Sequence, residues 1–224
     1  MNASEVYVAL ATLYLRLCGY FTTGLILHSS KRGQNIGEID CLAIRHPWHN
    51  QSARMVDLPP FLDIRDGLID LILCEVKSSA PAFNEPIRDE ANIADVLRWA
   101  GVLPEAEILF VASKLAILLA DSADPNAARA GIVEGNVRAR ALLCCPPLKE
   151  EPRLWCLTGA EIFRFIHFCM DTSNAPPTCA RRYAYELWGE PYSQIVRWFK
   201  ETRRPESRTL ESLCQHMLAP SSTK

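Results

Sequence analysis

The segment that most constrains the fold is residues 68–78, Leu-Ile-Asp-Leu-Ile-Leu-Cys-Glu-Val-Lys-Ser. A run that is apolar on both faces of an extended chain belongs to a central strand, covered by helices above and below. Charge on such a strand is rarely buried unless it is paired or put to use. Asp70, Glu75 and Lys77 are therefore the first residues in the chain that ask for an explanation.

The elements around this strand follow from periodicity and punctuation. Residues 5–17 carry Val6, Ala9, Leu10, Leu13 and Leu17 at helical spacing, Gly19 supplies a stop, and Asn2 with Glu5 fits a capping box. Strands are predicted at 20–27 and 36–44, joined by a turn at 29–35 that contains Lys31, Arg32 and Gly33. In the second strand, alternation puts Ile39, Cys41 and Ala43 on one face and Glu38, Asp40 and Leu42 on the other. Residues 46–66, broken by Pro47, Pro59 and Pro60, read as an insertion or a hairpin arm. Further along, the pattern predicts a helix at 89–100, a strand at 108–112, a helix at 125–134 and a strand at 137–145. A helix from Thr158 to about Met170 follows, with Glu161 completing a capping box. After a proline-rich break, residues 180–200 read as a helix. Its aromatics Tyr183, Trp188, Trp198 and Phe199 have the spacing of core residues rather than of a base-stacking platform. This order predicts an α/β sandwich around one mixed sheet. Residues 1–172 form its main domain, and 173–224 a helical C-terminal extension packed on or beside it.

Composition narrows the function classes. With 24 Lys and Arg against 26 Asp and Glu, the net charge is -2, which excludes a nonspecific nucleic-acid coat. The charge is uneven, however. Residues 176–224 hold 8 basic and 5 acidic side chains, a weak pointer to an anionic partner. The nine cysteines include no C-x-x-C pair, which argues against structural zinc. Several sit in apolar runs and read as small buried hydrophobes, and their odd number suits a reducing compartment. No apolar run approaches the roughly 20 residues that span a bilayer. The Met-Asn-Ala-Ser-Glu start lacks a basic export region, so the expected location is cytoplasmic and the expected partners include no membrane.

The chemistry concentrates in Gly37-Glu38-Ile39-Asp40 and Glu75-Val76-Lys77. Residues two apart on a strand share a face, so Glu75 and Lys77 point one way and Val76 the other. If the two strands pair, three carboxylates and one ammonium converge. Neighbouring carboxylates repel each other and resist joint ionisation, a cost that a hard divalent cation removes. Magnesium is held by one or two carboxylates with water and phosphate completing the shell. A lysine beside it orients an attacking water or helps to deprotonate it. Phosphodiester hydrolysis is the reaction that calls for these groups together.

Glu5 on the first helix, then Gly37-Glu38-Ile39-Asp40, then Cys74-Glu75-Val76-Lys77-Ser78, resembles the PD-(D/E)xK nuclease superfamily, over about residues 5–115. The resemblance implies a restriction-endonuclease-like fold and a metal-dependent nuclease of repair or anti-phage defence, acting on DNA in preference to RNA. It implies that Asp40 and Glu75 bind Mg²⁺ or Mn²⁺, with the Val76 carbonyl as a further ligand. Lys77 corresponds to the catalytic lysine and Glu5 to a helix-borne glutamate beside the metal. Ile39 stands where the superfamily's name has proline. Lys31, Arg32, Ser78 and Lys114 are candidate contacts to the nucleic acid, as are the arginines at 181, 182, 203, 204 and 208. Cutting both strands of a duplex needs two sites, so a homodimer or a place in a larger complex is expected. The competing reading is a catalytically inactive module that keeps the fold and binds nucleic acid or protein.

Overall fold

In a computed structural model, the structure describes residues 1–28, 35–50, 56–120, 124–149, 156–170, 185–201 and 208–219. Helix α1 (Ala3–Leu17) starts where the sequence supplies its cap. Asn2 Oδ1 accepts from the Glu5 amide at 3.0 Å, and Glu5 Oε2 accepts from the Asn2 amide at 2.9 Å. Gly19 turns the chain at φ +89. A Cβ there would lie 2.3 Å from His49 Nε2, so glycine serves both the turn and the approach of the imidazole.

Strands β1 (Phe21–His28), β2 (Asn35–Arg45) and β3 (Ile69–Val76) form an antiparallel meander. β5 (Val137–Cys145) then pairs parallel with β3. The short strands β4 (Ile132–Glu134) and β6 (Cys156–Thr158) both pair with β5, the first antiparallel and the second parallel. Among the described residues the sheet has six strands in the order β1-β2-β3-β5-β4, with β6 on β5. β3 is thus central, as its apolarity on both faces requires.

Helices cover both faces. α2 (Glu85–Arg88), α3 (Glu90–Ala100), α4 (Glu105–Leu118) and α5 (Pro125–Ala130) pack on one side against Leu42, Leu71, Leu73 and Ala141. α1, α6 (Gly159–Met170), α7 (Tyr192–Glu201) and α8 (Leu210–Leu218) pack on the other, against Ile72, Cys74 and Leu142. The C-terminal helices share one apolar cluster with α1, through Ile195, Phe199 and Leu213. Among the described residues, no helix is long and apolar enough to cross a membrane.

Five expectations need correction. Residues 108–112 are part of α4, not a strand: Ile108, Val111, Ala112 and Leu115 are buried at the i, i+3, i+4, i+7 spacing of a helix. The helix expected at 125–134 stops at Ala130. Gly131 turns it at φ +75 into β4, with no room for a Cβ, which would fall 2.5 Å from the Ala139 carbonyl oxygen. The described part of 46–66 is no projecting arm. Leu62 is fully buried, and Val56, Leu58, Phe61 and Ile64 pack on the α1-side core. Thr158 ends β6 instead of capping α6; its hydroxyl is buried with no hydrogen-bond partner among the described residues, and Glu161 pairs with Arg164. Of the helix expected at 180–200, residues 180–184 lie outside the described residues. The rest is a 3-10 turn (Tyr185–Trp188) and then α7. Residues 29–34 of the expected turn also lie outside them.

Candidate active site

The site is built on a bulge in β2. Thr23 pairs with Leu42 and Leu25 with Ile39, so Asp40 and Cys41 together oppose the single residue Gly24. Such an extra residue reverses the alternation of side chains beyond it. Ile39 accordingly joins Leu42 in the α3–α4 layer, whereas Cys41 and Ala43 face α1. Strict alternation had put Ile39 with Cys41 and Leu42 with Asp40; the bulge overturns both pairings. It also ends the ladder with β3, whose last pair is Cys41 with Cys74. The next β3 amide is satisfied by a side chain instead: Val76 N–H donates to Asp40 Oδ2 at 2.7 Å.

β3 supplies the other half. Ile72, Cys74 and Val76 face α1, and Leu71 and Leu73 face the α3–α4 layer, so alternation sends Glu75 to the latter side. Glu75 is 2 % exposed. Its Oε1 accepts from Lys77 Nζ at 2.6 Å and from Asn84 Nδ2, and Lys77 Nζ also donates to Asn84 Oδ1. Asn84 was not legible as a site residue, since it enters only through the chain's return toward α2. The expected single-face convergence is therefore replaced by a meeting at the end of the ladder. Glu38 and Asp40 approach from the α1 side, Glu75 and Lys77 from the other, and the Asp40 carboxylate holds the amide between Glu75 and Lys77.

On the α1 side a groove of about 660 Å³ is lined by Glu5, Val8, Ala9, Glu38, Asp40 and Tyr192 among others. Glu5 reaches this groove with its carboxylate engaged in the capping box. Both central carboxyls are shifted toward the neutral form. Burial raises the Asp40 carboxyl first; the Val76 amide works against this, Glu38 adds to it and Lys77 offsets it. Burial likewise leads at Glu75, opposed by the hydrogen bond and charge of Lys77 and reinforced by Asp40. Asp40, Glu75 and Lys77 are thus within electrostatic reach of one another. Below them Cys41 and Cys74 face each other as buried thiols, the former pushed up to about 12 by burial and so inert.

Two carboxylate oxygens, Asp40 Oδ1 and Glu75 Oε2, have no hydrogen-bond partner among the described residues, and the second is buried. Two desolvated carboxylates with a free oxygen each, both biased toward protonation, suit a hard divalent cation completed by water and substrate oxygens. Among the described residues, no three His, Cys, Asp or Glu side chains form a closed metal-ligating group. The fit is to an open, two-carboxylate site and not to a cage.

The remaining candidates distribute differently. Ser78 is exposed just past β3. Lys114 lies on α4 with Nζ 3.8 Å from the centre of its own helix's Phe110 ring. Lys31, Arg32, Arg181, Arg182, Arg203 and Arg204 lie outside the described residues, while Arg208 contacts His167. Asp70, the other acid of the central run, sits at the opposite end of β3, about 17 Å from Glu75 at the rise of a strand. It is 2 % exposed, accepts from Tyr20 Oη at 2.6 Å, and is gripped by Arg138 and Arg140, both essentially inaccessible. Burial would raise its carboxyl, but the two guanidiniums outweigh that and hold it below the usual carboxylate range. Asp70 is therefore a paired structural charge. Comparison with known protein families, with curated proteins and with solved structures returns no match to this chain.

Proposed function

We propose that this protein is a metal-dependent nuclease that hydrolyses phosphodiester bonds, on a fold of the restriction-endonuclease-like kind. The observation that carries the reading is the hydrogen bond from the Val76 amide to Asp40, which ties the metal-binding aspartate to the Glu-Val-Lys segment. Asp40 and Glu75 would hold Mg²⁺ or Mn²⁺ through their unpartnered oxygens, with the Val76 carbonyl as a further ligand. When bound, the ion supplies Lewis-acid activation of the phosphate and of water. The mixed central sheet flanked by helices, with α1 beside the groove, supports this reading.

Lys77 has the role that depends most on position. Glu75 and Asn84 fix its ammonium at the end of β3, so the group is held in place before substrate arrives. Its one remaining N–H orients the attacking water or donates to a phosphoryl oxygen as charge grows there. The water oxygen bonds to phosphorus, the bond from phosphorus to one bridging oxygen breaks, the water gives up a proton to solvent, and the departing alkoxide takes one from solvent to leave as an alcohol. DNA is the preferred substrate, and repair or defence the setting.

The second reading, a non-catalytic module that binds nucleic acid or protein, draws on the open carboxylate arrangement and on the closed Glu75–Lys77–Asn84 contacts. Incubation of the protein with plasmid, linear duplex, single strands and RNA, each with Mg²⁺, Mn²⁺ or chelator, decides between them. Metal-dependent cleavage that is lost in both Asp40→Ala and Lys77→Ala, with folding intact, is the expected result. No cleavage of any substrate, together with no Mn²⁺ binding by calorimetry, supports the inactive module.

A further inference from the structure

A second cavity, of about 520 Å³, adjoins the Asp40 groove. Tyr192 lines both. Two elements also run through both: β1 offers Phe21 and Thr22 to the cavity and Gly24 to Ile26 to the groove, and α1 offers Arg16 to the cavity and Glu5 to the groove. Eleven residues of helix separate Glu5 from Arg16, about 16 Å at 1.5 Å per residue. At the duplex spacing of about 3.4 Å per nucleotide this is fewer than five steps, and fewer still for an extended strand.

The chemistry of this cavity is opposite to that of the groove. Arg16 is half-buried, with its guanidinium carbon 4.8 Å from the Tyr192 ring centre and 5.3 Å from that of Trp188. Among the described residues it pairs with no carboxylate. A guanidinium that is held over two rings and, among the described residues, left without a counter-anion is preorganised for an anion such as phosphate. Beside it Phe21 is 68 % exposed, touching His46 edge-on, so one face of its ring has no packing role. A phosphate donor next to an open aromatic face is the combination that takes an unpaired nucleotide: the phosphate goes to Arg16 and the base to Phe21. A paired base is already stacked in its helix and has no face to offer. Trp188 packs on the α1-side core, as its spacing predicts, and also lines this cavity; Trp198 and Phe199 are buried in that core.

We propose that the Arg16–Phe21–Trp188–Tyr192 cavity binds an unpaired nucleotide of the substrate strand a few steps from the bond cut at Asp40. The protein therefore prefers nucleic acid with single-stranded segments. This rests on the nuclease reading for the identity of the ligand. The test is fluorescence anisotropy in chelator, with dye-labelled oligothymidine and a blunt duplex of equal length as probes. Wild-type protein and Asp40→Asn bind the single strand more tightly than the duplex. Phe21→Ala, an exposed position whose truncation leaves the core untouched, lowers single-strand affinity about tenfold and leaves duplex affinity unchanged. Arg16→Gln lowers single-strand affinity and reduces the salt slope by about one, and Arg16→Lys restores the slope. Equal wild-type affinity for the two probes overturns the proposal, as does unchanged single-strand binding in both Phe21→Ala and Arg16→Gln. Absence of metal-dependent cleavage, with the single-strand preference and its loss in Phe21→Ala both observed, overturns the nuclease reading and supports the cavity.

Discussion

The Val76 amide donates to Asp40 Oδ2 at 2.7 Å, across the point where the β2–β3 ladder ends. A backbone donor that would otherwise pair with a strand carbonyl is satisfied by the one side chain that the bulge turns toward it. Sheet geometry and the proposed metal site therefore meet in one carboxylate. The same group closes the sheet and, among the described residues, keeps its second oxygen unengaged.

That dual use predicts the behaviour of Asp40→Asn. The amide oxygen still accepts from Val76, while the cost of a desolvated carboxylate disappears. A carboxyl raised in the folded state penalises folding once the pH exceeds its ordinary value, and the penalty vanishes on acidification below that value. Metal-free Asp40→Asn is therefore at least as stable as wild type at neutral pH, and the two converge in acid. Urea unfolding at several pH values with chelator checks this, and a cleavage assay with Mg²⁺ shows activity lost.

Asn84 is predicted to position Lys77. It bridges Lys77 and Glu75, so Asn84→Ala leaves the ammonium in place but less constrained. Single-turnover cleavage falls by about ten- to a hundredfold, less than in Lys77→Ala, and Asn84→Asp recovers part of the loss. Equal losses in Asn84→Ala and Lys77→Ala point to collapse of the whole segment, which circular dichroism detects.

Glu5 combines a cap with a place on the groove wall. Glutamine is also accepted at the third position of a capping box, so Glu5→Gln keeps the stability of α1 to within about 0.5 kcal/mol. Metal-dependent cleavage falls with loss of the carboxylate. Unchanged cleavage at an unchanged unfolding midpoint confines Glu5 to capping.

Asp70→Asn is predicted to be a stability variant. It leaves Arg140 buried without a counter-charge and Arg138 with only the Asp63 carboxylate at 3.3 Å, at a cost of about 3–5 kcal/mol in urea unfolding at neutral pH. The Asp70 carboxyl is held below its ordinary value, so its contribution is fully present above that value and is lost as the pH falls through the lowered one. The gap between wild type and Asp70→Asn narrows below about pH 4. A gap that widens in acid reverses the assignment.

Much of this was readable before any fold was known. The apolar run around Ile72 announced a central strand, Asn2 and Glu5 announced the start of α1, and the Glu38–Asp40 and Glu75–Lys77 pairs marked charged residues that the fold brings together. Other features were hidden because their signals are local and ambiguous. Ile108 to Ala112 is short enough to suit a strand or a helix, and only packing against the sheet chose the helix. Arg138 and Arg140 fall within the strand predicted at 137–145, but nothing in their neighbours in sequence foretells that they are buried against Asp70 and Tyr20.

Composition and periodicity determined what this chain must bury and which residues are too costly to bury idle, because hydrophobic burial and desolvation depend on residue type. They could not determine which of those costly residues meet. That depended on one extra residue in β2, which reversed Ile39 and Leu42, turned Asp40 toward Val76, and brought the carboxylates to the end of the sheet from opposite faces. It depended equally on the packing of the C-terminal segment, which set Trp188 and Tyr192 beside Arg16. Register and helix docking are settled by contacts distant in sequence, so only the tertiary structure separates the paired charge at Asp70 from the open site at Asp40 and Glu75.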